Sequence, residues 1–150
     1  MNLGGPHYFF VFFVFLWLGV NLGVAQLSGW GELSRCYRSG DPFEGRKWKF
    51  RRGQMRLLMK YSNCLTIGAN PQGLYLAVFF LFRIGHPRLL VPWQDISVTT
   101  GKTLFWKWIE FRFRQAPSVW LRIYGSLADE VRLTAGPFWP GERNQMKDRV

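Results

Sequence analysis

The chain has 150 residues, and the first Asp, Glu, Lys or Arg is Glu32. Within this uncharged stretch, Tyr8 to Ala25 (YFFVFFVFLWLGVNLGVA) forms an 18-residue apolar run. As a helix it rises about 27 Å, close to the ~30 Å hydrocarbon core of a bilayer. Leu27 extends the run, and Tyr8 and Trp30 suit the two interfaces. The pattern predicts a short leader over 1–7 and a transmembrane helix over 8–27. The leader holds no Lys or Arg, whereas Arg35, Arg38, Arg46 and Lys47 follow the run. The positive-inside rule then puts the leader outside and the remaining chain in the cytoplasm. A cleaved signal peptide competes with this reading, because Gly23-Val24-Ala25 offers small residues to a peptidase. Against it stand the missing basic n-region and the length of the run.

Gly19 and Gly23 make a GxxxG pattern around Asn21. Small residues let helix backbones approach, and an Asn in hydrocarbon seeks a partner. These three residues are the candidate helix–helix contact, and a homodimer through the span is the partner they imply.

Beyond the run, Trp30, Leu33 and Tyr37 recur at helical spacing. They predict an amphipathic juxtamembrane helix at headgroup level, followed by a Gly/Pro linker; together these fill 28–45. From residue 46 the period becomes two. Trp48 and Phe50 alternate with Lys47, Lys49 and Arg51, which predicts a half-buried strand with both aromatics inward. Gly53-Gln54 reads as a turn, Cys64–Gly68 as a short strand and Asn70-Pro71-Gln72-Gly73 as a turn. Leu74–Phe82 reads as one long apolar strand. Ile109, Phe111 and Phe113, then Val119, Leu121 and Ile123, alternate with polar or aromatic residues and predict a closing hairpin. Ser126 and Asp129 open a helix in the S-x-x-D manner, and Gly136-Pro137 closes it. A mainly β domain of about seven antiparallel strands with a C-terminal helix therefore spans 46–135. An irregular tail occupies 136–150.

Chemistry is sparse. Cys36, Cys64 and His86 match no zinc spacing, and neither a nucleophile elbow, a phosphate-binding glycine loop nor an H-E-x-x-H motif is present. The few acids are scattered, so no catalytic, cofactor or metal site is expected and the chain reads as a non-enzyme. The net charge of +11 points instead to an anionic partner. Two patches are candidates for a membrane or partner surface. One is Lys47, Lys49, Arg51 and Arg52 on the first strand. The other is Lys102, Phe105, Trp106, Lys107 and Trp108, where aromatics and bases interleave as at a bilayer interface.

Three passages carry a family resemblance: Gly73–Phe80 (GLYLAVFF), Leu89–Ile96 (LLVPWQDI), and the closing hairpin with its helix. They resemble the pleckstrin-homology-like barrel of small bacterial membrane-anchored proteins, and Gly29–Arg38 (GWGELSRCYR) resembles the juxtamembrane helix of that group. The resemblance implies a sheet closed into a barrel, plugged at one end by the helix, on the bacterial inner membrane. It also implies lipid contact through basic residues of the first two strands, where Arg46–Arg52 superficially fits.

The leading expectation is a membrane-tethered, non-catalytic binding module facing anionic lipid headgroups or another membrane protein. An accessory subunit of an inner-membrane complex is one alternative. A basic, aromatic nucleic-acid-binding β domain is another; the anchor argues against it.

Overall fold

The computed structural model describes residues 5–56 and 59–144, with side chains described as far as residue 141. The elements run α1 (Pro6–Ser28), α2 (Trp30–Tyr37), β1 (Arg46–Met55), β2 (Met59–Ala69), β3 (Gly73–Val78), β4 (Leu89–Pro92), β5 (Ile96–Lys102), β6 (Lys107–Phe113), β7 (Ala116–Tyr124), α3 (Ser126–Ala135) and β8 (Glu142–Asn144). Pro at the start of α1 suits a helix whose first amides have no partner.

Gly29 separates the two first helices. It sits at φ 83, and a Cβ there would run into Val119 and Arg56. Only glycine satisfies both the left-handed backbone and the close approach. The chain therefore turns at Gly29 and lays α2 onto the domain. Trp30, Leu33 and Tyr37 are buried in the same core as the strands. The helical stripe was expected at headgroup level. It faces the protein instead, and residues 30–37 are part of the domain's own core.

The sheet has eight strands in the order β4-β3-β2-β1-β7-β6-β5-β8. Seven pair antiparallel, and β8 lies parallel to β5. The expected closed barrel is not formed, and with it the pleckstrin-homology-like identity loses its support. The physical reason lies at the two edges that would have to meet. The outer edge of β5 is taken by β8, with Val98 opposite Glu142. That of β4 is taken by Arg38, which bridges to Leu89, and by Ser39, whose N–H donates to Arg88 O at 2.9 Å. Both edges are thus blunted without closure. The expected irregular tail supplies one of these covers; its residues 145–150 lie outside the described part.

Other boundaries move as well. β1 runs through Gly53-Gln54 without a turn, and Cys64–Gly68 is the far half of one long β2. The expected strand Leu74–Phe82 ends at Val78 and gives way to a 3₁₀ turn over Phe80–Phe82. α3 begins one residue early, behind Gly125, and no side-chain cap forms, so the Ser126–Asp129 box is absent. The core itself follows the alternation: Trp48, Leu74, Leu76, Ile96, Phe111, Leu121 and Ile123 are buried together with Leu127 and Val131 of α3. Asn70 closes the β2–β3 turn by accepting the N–H groups of Gln72 and Gly73. Trp93 donates to Asn70 O at 2.8 Å, so the Pro-Trp corner is a structural clasp.

Candidate membrane-facing surface

Among the described residues, α1 is the one helix long and apolar enough to cross a membrane, which supports a single-pass membrane protein. Its two ends differ. Phe9 to Leu16 stand largely in the open, whereas Asn21, Ala25 and Ser28 are buried against the domain. From Pro6 to Val20 the free part rises only about 22 Å, short of the ~30 Å apolar core. The next turns still present apolar residues outward, at Leu22 and Leu27.

The docking of α1 rests on a buried polar knot. Tyr61 Oη donates to Ser28 Oγ at 2.9 Å and lies 3.1 Å from His86 Nε2. Trp30 packs its ring against both Tyr61 and His86, and its Nε1–H donates to Pro87 O at 2.8 Å. Burial pushes the Tyr61 hydroxyl up to about 12 and moves the His86 imidazole below its ordinary value. Both groups are therefore neutral near pH 7. Gly85, at φ 77, brings this loop against Leu22 and Ala25 of α1.

At the same level the chain leaves β3 and exposes Phe80, Leu81, Phe82 and Ile84, four large apolar side chains in five residues. Sequence reading placed Phe80 and Phe82 in a strand and missed this surface. Its only signal was an apolar run too long for a strand between turn residues. Phe79 continues the surface sideways, its ring 5.8 Å from that of Phe50.

Phe50 was expected inward and is 59% exposed. A bulge between Trp48 and Arg51 breaks the alternation, and Phe50 takes φ 55, a conformation bulky residues rarely adopt. The supposed single face of Lys47, Lys49 and Arg51 is broken by the same bulge. Lys47 lies over the stacked Phe43 and Tyr75 rings, 5.6 and 5.4 Å from their centroids. Phe50, Arg51 and Arg52 instead share a cleft with Trp106, Tyr124 and Leu127. The structure thus joins parts of the two patches that the sequence kept separate.

In the second patch Lys102 ends β5 and Lys107 starts β6. Leu104, Phe105 and Trp106 form the exposed hairpin tip between them. Trp108 turns away from that tip, and the Arg122 guanidinium lies 4.1 Å from its ring centroid. In the span, Asn21 donates to Trp17 O at 2.8 Å and faces the domain, while Gly19 and Gly23 have nothing within 4 Å of a built Cβ. The three residues of the expected helix contact do not share one face.

Most described acids are engaged within the fold. Glu110 holds Arg112 and Arg122, Glu32 holds Arg56, Glu130 holds Arg46, and Asp95 accepts from Tyr37 and Gln115. Beside the exit of α1 lies a contrasting cleft that sequence reading missed. Arg35, Arg38, Arg83 and Arg88 all line it, and no acid does.

Comparison with family models, with curated proteins and with solved structures finds no match to this chain.

Proposed function

We propose that this protein is a membrane-tethered, non-catalytic binding module. In this reading α1 crosses the bilayer once, and the domain sits on the cytoplasmic side, pressed against an anionic leaflet. The observation that carries it is the exposed run Phe80, Leu81, Phe82 and Ile84 at the level of Leu22. A bilayer that covers Leu22, as the short free length of α1 requires, also covers this loop. Burying these side chains in lipid is favourable by about 25 cal/mol per Å². The basic residues around the loop then meet headgroups, each adding about 1 kcal/mol close to an anionic surface. The engagement of the carboxylates in the fold supports a role without acid–base chemistry. Trp48, Trp93, Phe111 and Phe113 are buried and unavailable as a stacking platform for bases.

A second reading, assembly with another span, is favoured by the open surface at Gly19 and Gly23.

The test places a nitroxide at Leu81 and, separately, at Gln72, in the full chain with Cys36 and Cys64 replaced. Nanodiscs with and without anionic lipid carry the chain. Position 72 lies at the opposite end of β3 from position 81. The expected result is oxygen-rich, lipid-like accessibility at 81 and aqueous accessibility at 72. Water exposure at both would refute the docking.

A further inference from the structure

Resting on the membrane docking above, we infer that the cleft between α2 and the Arg83–Arg88 loop is a binding site for the phosphate headgroup of one anionic lipid. Its volume is about 670 Å³, within the usual range of small-ligand sites. Arg35, Arg38, Arg83 and Arg88 line it, together with Ser34 and Gln26. Among the described residues, none of these arginines forms an ion pair, a side-chain hydrogen bond or a cation–π contact. Elsewhere Arg46, Arg56, Arg112, Arg114 and Arg122 each pair with an acid. Four like charges around one hollow repel each other, and a dianionic phosphate relieves that repulsion. Guanidinium groups also match phosphate oxygens in paired, charge-assisted hydrogen bonds.

The frame that holds these side chains is fixed before any ligand arrives. Arg38 bridges to Leu89, and Ser39 N–H donates to Arg88 O at 2.9 Å. Arg83 caps the 3₁₀ turn through its N–H to Phe80 O, and its own carbonyl accepts from His86 N–H at 2.8 Å. Trp30 pins Pro87 from the other side. Such preorganisation lowers the ordering cost of binding. The source of the phosphate follows from position. Arg83 directly succeeds the exposed Phe80–Phe82 turn, and Gln26 belongs to α1 one turn beyond Leu22. A site so close to the bilayer surface is filled from the bilayer, where lipid phosphate is concentrated.

The test is native mass spectrometry of the full chain released from phosphatidylcholine nanodiscs containing a minority of phosphatidic acid. The parent chain should retain one phosphatidic acid. The Arg38→Gln/Arg88→Gln variant should retain about tenfold less or lower still, as expected for losing charge-assisted contacts. Arg38→Lys/Arg88→Lys should fall between, because it keeps charge and loses the planar fork. Arg112→Gln/Arg114→Gln should retain lipid like the parent, since these arginines pair with Glu110 and Asp95 and do not line the cleft. A thermal melt of each variant separates unfolding from loss of the site. No retained phosphatidic acid in the parent, or equal retention in Arg38→Gln/Arg88→Gln, would overturn the proposal. Capture of inorganic phosphate in pure phosphatidylcholine discs, without any gain for the lipid, would overturn the lipid source. If Leu81 lies in lipid while no lipid is retained, the cleft assignment fails and the docking stands.

Discussion

On the outer side of β6 and β7, Arg112 and Arg122 close on the two oxygens of Glu110, at 2.9 and 2.8 Å. Arg122 also lies between the rings of Trp108 and Trp120. Beside the anchor, Arg35, Arg38, Arg83 and Arg88 surround a hollow with no acid in it. Both clusters contribute to the same +11 charge, and composition treats them alike. The first is paired with a buried carboxylate, partly desolvated and packed, so it serves the fold. The second is solvated, uncompensated and held on a hydrogen-bonded frame, so its charge remains available to a ligand. For a basic protein, the informative quantity is which arginines remain unpaired.

The sharpest way to break this comparison is to remove the acid. Glu110 is 4% exposed, so Glu110→Gln leaves two cations near a buried position without their counter-charge. Breaking a buried pair costs about 3–5 kcal/mol; the partial exposure of Arg112 and Arg122 lowers the expectation to roughly 2 kcal/mol. Denaturant unfolding of the full chain in detergent micelles reads this directly.

A smaller loss is expected where the anchor meets the domain. Tyr61→Phe removes the hydroxyl that binds Ser28 and leaves that buried polar group short of a partner, for about 1–2 kcal/mol. His86 adds a pH dependence of known sign. Burial holds its native value below the ordinary 6.5, so on acidification the unfolded chain takes up this proton first. Stability then falls as pH drops below about 6.5 and levels off once the native His86 also titrates. The His86→Gln variant should unfold with a flatter pH profile across that window, which a melt series at stepped pH checks.

The smallest effect belongs to the cleft. Arg38→Gln/Arg88→Gln breaks no side-chain hydrogen bond or ion pair, so stability should stay within about 0.5 kcal/mol of the parent or rise slightly. A loss as large as that of Glu110→Gln would mean that these arginines are structural after all.

Much of this was legible in the sequence, and the parts that were not share a cause. Phe111, Phe113, Leu121 and Ile123 declare themselves by alternation, and Leu127 and Val131 by helical spacing, because each pattern is local. The bulge that turns Phe50 outward is a property of β1 against β2 and has no signature in either strand alone. The end of β3 at Val78 is hidden because Phe79–Phe82 is as apolar as the strand before it. The barrel failed to close because Arg38 and β8 cover the two edges, and both are long-range contacts. The cleft is the extreme case. Arg35 and Arg38 are visible as charges next to the span, but Arg83 and Arg88 join them only through the bridge to Leu89.

The central claim is that the four arginines of the α2 cleft, and not those paired with acids elsewhere in the fold, hold lipid phosphate. Phosphorus-dephased carbon NMR of guanidinium-labelled full chain in phosphatidic-acid nanodiscs measures this contact at the atoms concerned. The account predicts strong arginine dephasing that falls sharply in Arg38→Gln/Arg88→Gln and persists in Arg112→Gln/Arg114→Gln. Undiminished dephasing in Arg38→Gln/Arg88→Gln, or its absence in the parent, would contradict it.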